Sequence, residues 1–182
     1  MATRTQSEIA PPEQYVLPAT KYCPNSKMPV LVYRNVLPSP RTPETAQAWV
    51  EKHGWLKQVS ISSSRSGNVS SSDVLMGIGT SDGAATEEGN KSKNGLLLTL
   101  KEGDVIVHPA GTGHSNVSDE GNYRYLSFFP EGSPRWISEN GDKLLDDHPE
   151  VSEQIAQVPM PRDPVTGDEG YLVPLWGSFG GN

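Results

Sequence analysis

The chain has 182 residues, 34% of them apolar, with a mean hydropathy of −0.52 and a formal net charge of −7. This length predicts one domain with its own core. The acids are spread out and no basic patch is present, which argues against nucleic acid or an anionic membrane surface as the main partner. No apolar run approaches the ~20 residues of a membrane span, MATRTQSEIAPPEQ lacks the apolar core of a secretory signal, and the lone Cys23 forbids an intrachain disulfide. A soluble, cytoplasmic protein is expected.

Gly (18) and Pro (16) are abundant without a collagen-like period, which fits many short strands better than a helix bundle. Residues 1–20 are polar and Pro-rich and read as a flexible N-terminal arm, with residues 21–182 as one domain. Met28–Leu37 is a strand candidate. In SPRTPETAQAWVEKHGW, Thr42 can cap a helix, Pro43 suits its first position, Glu44 suits its positive end and His53-Gly54 can stop it. Ala46, Trp49 and Val50 give that helix one apolar face.

Gln58–Ser81 has strand-like ends around a Ser, Gly and Asn middle, and DGAATEEGNKSKNG reads as a polar hairpin loop. Leu96–Leu100 is a buried strand, KEGD a turn, and VIV opens the next strand. Asn122–Phe129 is a further strand, and a second helix is predicted from His148 to about Gln157 with Asp147 near its cap. The C-terminal VPMPRDPVTGDEGYLVPLW has too many prolines for a helix and is predicted to run extended across the outside. The fold class is therefore all-β: an antiparallel barrel or jelly roll with a few short peripheral helices.

GDVIVHPAGTGHSN, Gly103 to Asn116, resembles the second cupin motif, G-x(5)-P-x-G-x(2)-H-x(3)-N. Gly103, Pro109, Gly111 and His114 fit it, and Ser118 stands at the Asn position. PNSKMPVLVYRN, KHGW, FPEGSP and VPMPRDPVTGDEG extend the resemblance, over roughly Cys23 to Trp176, to small single-domain cupins of the YjlB type within the RmlC-like cupin superfamily. The resemblance implies a cupin jelly roll. The first cupin motif, G-x(5)-H-x-H-x(3,4)-E-x(6)-G, falls on SGNVSSSDVL. Its histidine positions land on Ser66 and Asn68, its glutamate on Asp73 and its closing glycine on Gly79, and no histidine stands between His53 and His108. The metal half is degenerate.

First-row metals in such barrels need three or four nitrogen or oxygen ligands. Asp73 and His114 alone do not make a tight site, so neither a resident metal nor another cofactor is expected, and oxygenase chemistry is disfavoured. The inward ligand positions of the resemblance would make Ser66, Asn68, Asp73 and His114 converge. His114 is then the acid/base candidate, with Asp73 orienting it. Alternation puts Ser62, Ser64, Ser66 and Asn68 on one face as a polar cup, unless the run is a solvated edge. On the later strand Tyr123, Tyr125, Ser127 and Phe129 share a face, and Arg124, Leu126 and Phe128 the other. Alternation does not say which lines the barrel; Tyr125, Ser127 and Phe129 are taken with Ser64, Ser66 and Asn68 as substrate-binding candidates. His108, just before Pro109 on the same turn, is open to joining the site, though the strand phase favours turning it elsewhere, and Arg65 clamps a carboxylate only if the register shifts.

These residues predict a metal-independent cupin acting on a small oxygenated molecule by acid/base chemistry: an isomerase, dehydratase, decarboxylase or cyclase, as in secondary-metabolite tailoring. A non-catalytic small-molecule-binding cupin is the alternative, and a weak metal on Asp73 and His114 a second one. A homodimer is expected, its arm Ala10–Pro18 crossing onto the neighbour.

Overall fold

The computed structural model describes residues 9–62, 71–82, 95–121, 123–134 and 140–179. Its strands are β1 (Glu13–Tyr15), β2 (Val30–Tyr33), β3 (Trp55–Ser62), β4 (Ser71–Met76), β5 (Leu96–Lys101), β6 (Val105–Val107), β7 (His114–Glu120) and β8 (Arg124–Pro130). The helices are α1 (Pro43–Glu51), α2 (Pro149–Ala156) and α3 (Leu172–Gly177). All strand pairs are antiparallel, in the orders β1-β2-β6, β5-β4-β7 and β3-β8. The chain is an all-β protein of cupin-like, jelly-roll type with few short helices.

β2 organises the core. All four of its residues are buried, and its period-two alternation sends them to two different places. Val30 and Val32 face Leu17, Met76, Leu98 and Leu100, which fills the space between the β1-β2-β6 and β5-β4-β7 sheets. Leu31 and Tyr33 face Val107, Val50, Trp55, Val165, Leu172 and Trp176. β2 is shorter than the Met28–Leu37 run because Asn35 turns the chain at φ +56. Its amide there donates to Asp104 Oδ1 at 2.8 Å.

α1 forms as its sequence dictates. Thr42 Oγ1 accepts from the Thr45 amide at 3.2 Å, Pro43 opens the helix, and Val50 is its buried residue. α1 lies over the β3-β8 pair, where Lys57 Nζ donates to Gln47 Oε1 at 3.0 Å.

Two expectations are corrected here. Within the arm 1–20, residues 9–20 pack on their own chain: Ile9 and Leu17 are buried, and β1 pairs with β2. Ala10–Pro18 thus packs against its own chain in this structure. The C-terminal segment is likewise core and not an outer wrapping. Val165, Leu172 and Trp176 are buried, and α3 carries Pro174 in its first turn, where a missing N–H costs no helical bond. Burying one large apolar side chain contributes about 1.5–3 kcal/mol.

Asp163 anchors this segment. It is fully buried, and its carboxylate accepts from the Val165 amide (2.7 Å), the Leu172 amide (3.0 Å), the Thr166 amide (3.1 Å) and the Tyr33 hydroxyl (2.5 Å). A Cβ on Gly170 would stand 2.1 Å from Asp163 Cβ, so only glycine allows the approach. Trp55 Nε1 donates to Arg162 O at 2.9 Å and Trp176 Nε1 to Pro29 O at 2.8 Å, while His53 Nδ1 lies 2.8 Å from Pro164 O. These bonds satisfy polar groups that burial would otherwise penalise. No helix among the described residues is long and apolar enough to cross a membrane.

Candidate functional site

β6 ends at Val107, and seven residues later β7 begins at His114. Between them Pro109 is buried, the Thr112 amide donates to Pro109 O at 3.2 Å, and Gly111 takes φ +84, a region that suits glycine. Two neighbouring segments fix the exit of this turn. The Gly77 amide donates to Gly113 O at 2.8 Å, and the Gly113 amide donates to Asn25 Oδ1 at 3.3 Å. Asn25 Nδ2 in turn donates to Gly77 O (2.9 Å) and Pro18 O (2.6 Å). The Cys23 thiol, buried and with its pKa pushed up by that burial, lies 3.2 Å from Asn25 Oδ1 and 3.7 Å from Gly111 O. The backbone that carries His114 is therefore held on both sides.

The turn brings His108 and His114 together. Their rings stack with centroids 4.3 Å apart and planes 10° from parallel. His108, which the sequence reading weighed for the site but favoured turning elsewhere, stands beside His114. It shares the phase of Ile106, which packs into the core between the two sheets, opposite Val32. That parity, counted from an apolar strand residue, is the signal that could have found it. His108 Nδ1 is closed off from solvent and has no hydrogen-bond partner. Burial, then the adjacent His114 ring, holds its imidazole far below the ordinary range, at about 3.

His114 is exposed. Its Nδ1 lies 3.3 Å from Thr112 O, and a carbonyl can only accept. The neutral ring therefore carries its proton on Nδ1 and keeps its lone pair on Nε2.

Asp73 does not join them. Its carboxylate accepts from Thr99 Oγ1 at 2.7 Å and Ser118 Oγ at 2.8 Å, tying β5, β4 and β7 together. The residue opposite His114 is Met76, three positions along β4 from Asp73, so the two side chains leave opposite faces. This corrects both the orienting role expected for Asp73 and the weak metal site that needs both residues. The β7 register also shifts between Asp73 and Val74, a bulge that changes which β7 residues share a face with Asp73. Among the described residues, no group of three or more His, Cys, Asp or Glu stands together as a metal would require. The described donor set does not fit a tight first-row site.

Ser64, Ser66 and Asn68 lie outside the described residues. On β8, Phe128 packs against the core that holds Trp55. Tyr125, Ser127 and Phe129 thus leave the other face, next to Leu56, which pairs with Phe129 and is 49% exposed. Tyr123, of the same phase, is half-buried, and burial followed by the charges of Asp104 and Asp119 pushes its phenol up to about 12. A shallow groove of about 320 Å³ between the edges of β1 and β5, lined by Gln14–Pro18, Gly95 and Leu96, contains none of these candidates.

No protein-family model and no solved structure matches the chain. Uncharacterized protein YjlB of Bacillus subtilis (strain 168) is 28% identical over 174 residues, covering 90% of this chain and 96% of its own length. Acireductone dioxygenase 4 of Oryza sativa subsp. japonica is 32% identical over 84 residues, 46% of this chain and 41% of its own. With the antiparallel fold, these similarities suggest a cupin-like family.

Proposed function

We propose that this chain is a cupin-like protein that takes a small oxygenated organic molecule at the His108–His114 turn and moves a proton on it without a metal. The reaction class is isomerisation, dehydration, decarboxylation or cyclisation through an enol. One observation supports it above the rest: His114 is exposed and its Nδ1 is held by the Thr112 carbonyl, which leaves the lone pair of the neutral ring on Nε2. In the proposed step Nε2 takes a proton from the carbon beside a carbonyl. The C–H pair becomes the enol double bond, the carbonyl oxygen becomes the enolate, and the imidazolium returns the proton at the next step. Tyr125, Ser127 and Phe129, together with Ser64, Ser66 and Asn68, remain the proposed substrate contacts, and a homodimer the proposed assembly.

The name of acireductone dioxygenase 4 raises an oxygenase reading. It is not favoured, because the donors that such a metal needs are replaced at Ser66 and Asn68 and Asp73 faces away from His114. The test is catalysed exchange of α-protons into D2O, followed by NMR over a panel of small hydroxyketones and oxoacids. The expected result is exchange by the native protein that falls ~10²–10⁴-fold in His114→Ala with unchanged thermal unfolding. Undiminished exchange in that variant, or a full equivalent of Fe, Mn, Ni, Cu or Zn in the purified protein, overturns the proposal. Tight binding of a panel member with no exchange gives the non-catalytic reading instead.

A further inference from the structure

We infer that His108 is itself a ligand-binding residue, whose Nδ1 forms the polar contact of an interior subsite for the oxygen of a neutral keto–enol compound. The inference rests on the site proposed above but concerns binding and not proton transfer. Among the described residues, four buried polar atoms lack partners: Ser72 Oγ, Ser133 Oγ, Thr166 Oγ1 and His108 Nδ1. The three hydroxyls can turn about their C–O bonds to find an acceptor. The imidazole nitrogen can be re-aimed only by turning the whole ring, which is stacked on His114. A closed-off polar atom with no partner is uncommon in native folds, and one held in a stacked ring is placed for a partner that arrives from outside the chain.

The chemistry of that partner follows from what surrounds the ring. Half-buried His108, one residue past the end of β6, has the parity of Ile106, which packs beside the apolar core that holds Val32 and Met76. Among the described residues, His114 is the one charged or titratable group that acts on it. An ionic ligand would find no countercharge there and would bear its full desolvation cost. Burial also keeps the ring neutral. A neutral imidazole has two tautomers, so Nδ1 can donate to a carbonyl oxygen or accept from an enol hydroxyl. One nitrogen can thus follow an oxygen through both forms of a keto–enol pair without gaining charge.

The experiment uses the full chain with 15N-labelled histidine and acetylacetone as a neutral, strongly enolised probe. Long-range 1H–15N spectra are expected to show the His108 Nδ1 resonance moving as acetylacetone is added. His108→Phe, which keeps a flat ring but no nitrogen, is expected to weaken binding about tenfold, the scale of one hydrogen bond. His108→Asn, whose amide can stand where Nδ1 stood, is expected to recover most of it. An unmoved His108 Nδ1 at the solubility limit of the probe overturns the inference, as does undiminished binding by His108→Phe. If that variant does not fold, the spectra of the native protein decide alone. The proton-transfer reading fails separately, through retained exchange in His114→Ala, and neither failure mimics the other.

Discussion

The Tyr33 hydroxyl donates to the Asp163 carboxylate at 2.5 Å across 130 positions of sequence, and both residues are buried. A hydrogen bond to a charged acceptor contributes about 1.5–3 kcal/mol. Tyr33→Phe keeps the ring and removes that bond, so a Tm drop of roughly 3–12 °C is expected for a chain of this size. Burial, then Asp163, holds the Tyr33 phenol well above its ordinary value. The unfolded phenol ionises near pH 10, so above that pH the unfolded chain binds fewer protons and native stability falls as pH rises. Denaturant titrations should show this alkaline loss in the native protein and a smaller one in Tyr33→Phe.

His108 predicts the opposite dependence at the acid end. An unfolded imidazole takes its proton near pH 6.5, while in the fold His108 resists protonation down to about 3. Between these values the unfolded chain binds more protons, so stability falls as pH falls, by at most about 1.4 kcal/mol per pH unit from this group. Above pH 6.5 the loss is absent. Urea midpoints measured from pH 7 to 4 should fall less steeply in His108→Phe than in the native chain. Equal slopes would show that His108 is solvated in the fold.

Asp73 is expected to behave as a strand tie. Asp73→Ala removes its bonds to Thr99 and Ser118, which are exposed enough for water to replace in part. A stability loss of about 1 kcal/mol is expected, with α-proton exchange at the native rate. A large fall in exchange with unchanged stability would return Asp73 to the proton-transfer site.

Gly113 and Cys23 are predicted to be coupled. A Cβ on Gly113 would lie 2.6 Å from Cys23 Sγ and 3.0 Å from Ile78 O, so Gly113→Ala should cost about 1–3 kcal/mol through overpacking. Cys23→Ala removes the sulfur, and in that background the same change should cost less. A double-mutant cycle by urea unfolding measures the difference, and strict additivity would refute the contact.

Where local chemistry decides, the sequence was legible. Thr42-Pro43 starts α1, and the apolar run of β2 and the LLLTL of β5 are strands for reasons contained in a few residues. β7 was not legible. HSNVSDE is polar and mostly exposed, and it is a strand because β4 lies beside it. The C-terminal segment looked peripheral because its prolines mask a buried Asp163 whose partner Tyr33 is far away in sequence. In the candidate site, His114 was readable from its motif. The inward turn of His108 and the outward turn of Asp73 depend on strand phase and on a bulge, which only pairing between distant segments fixes.

The anchoring of Asp163, Leu172 and Trp176 against β2 also sets an order on biosynthesis. The ribosome releases the chain from its N-terminal end, so β2 and β6 emerge long before the residues that cover Leu31, Tyr33 and Val107. Until residues 163–176 have left the exit tunnel, that side of the sheet meets either water or a chaperone. A stop codon placed just before Asp163 would leave every strand encoded and one of the two cores open, so such a product should be cleared by quality control and not accumulate as a shorter working protein.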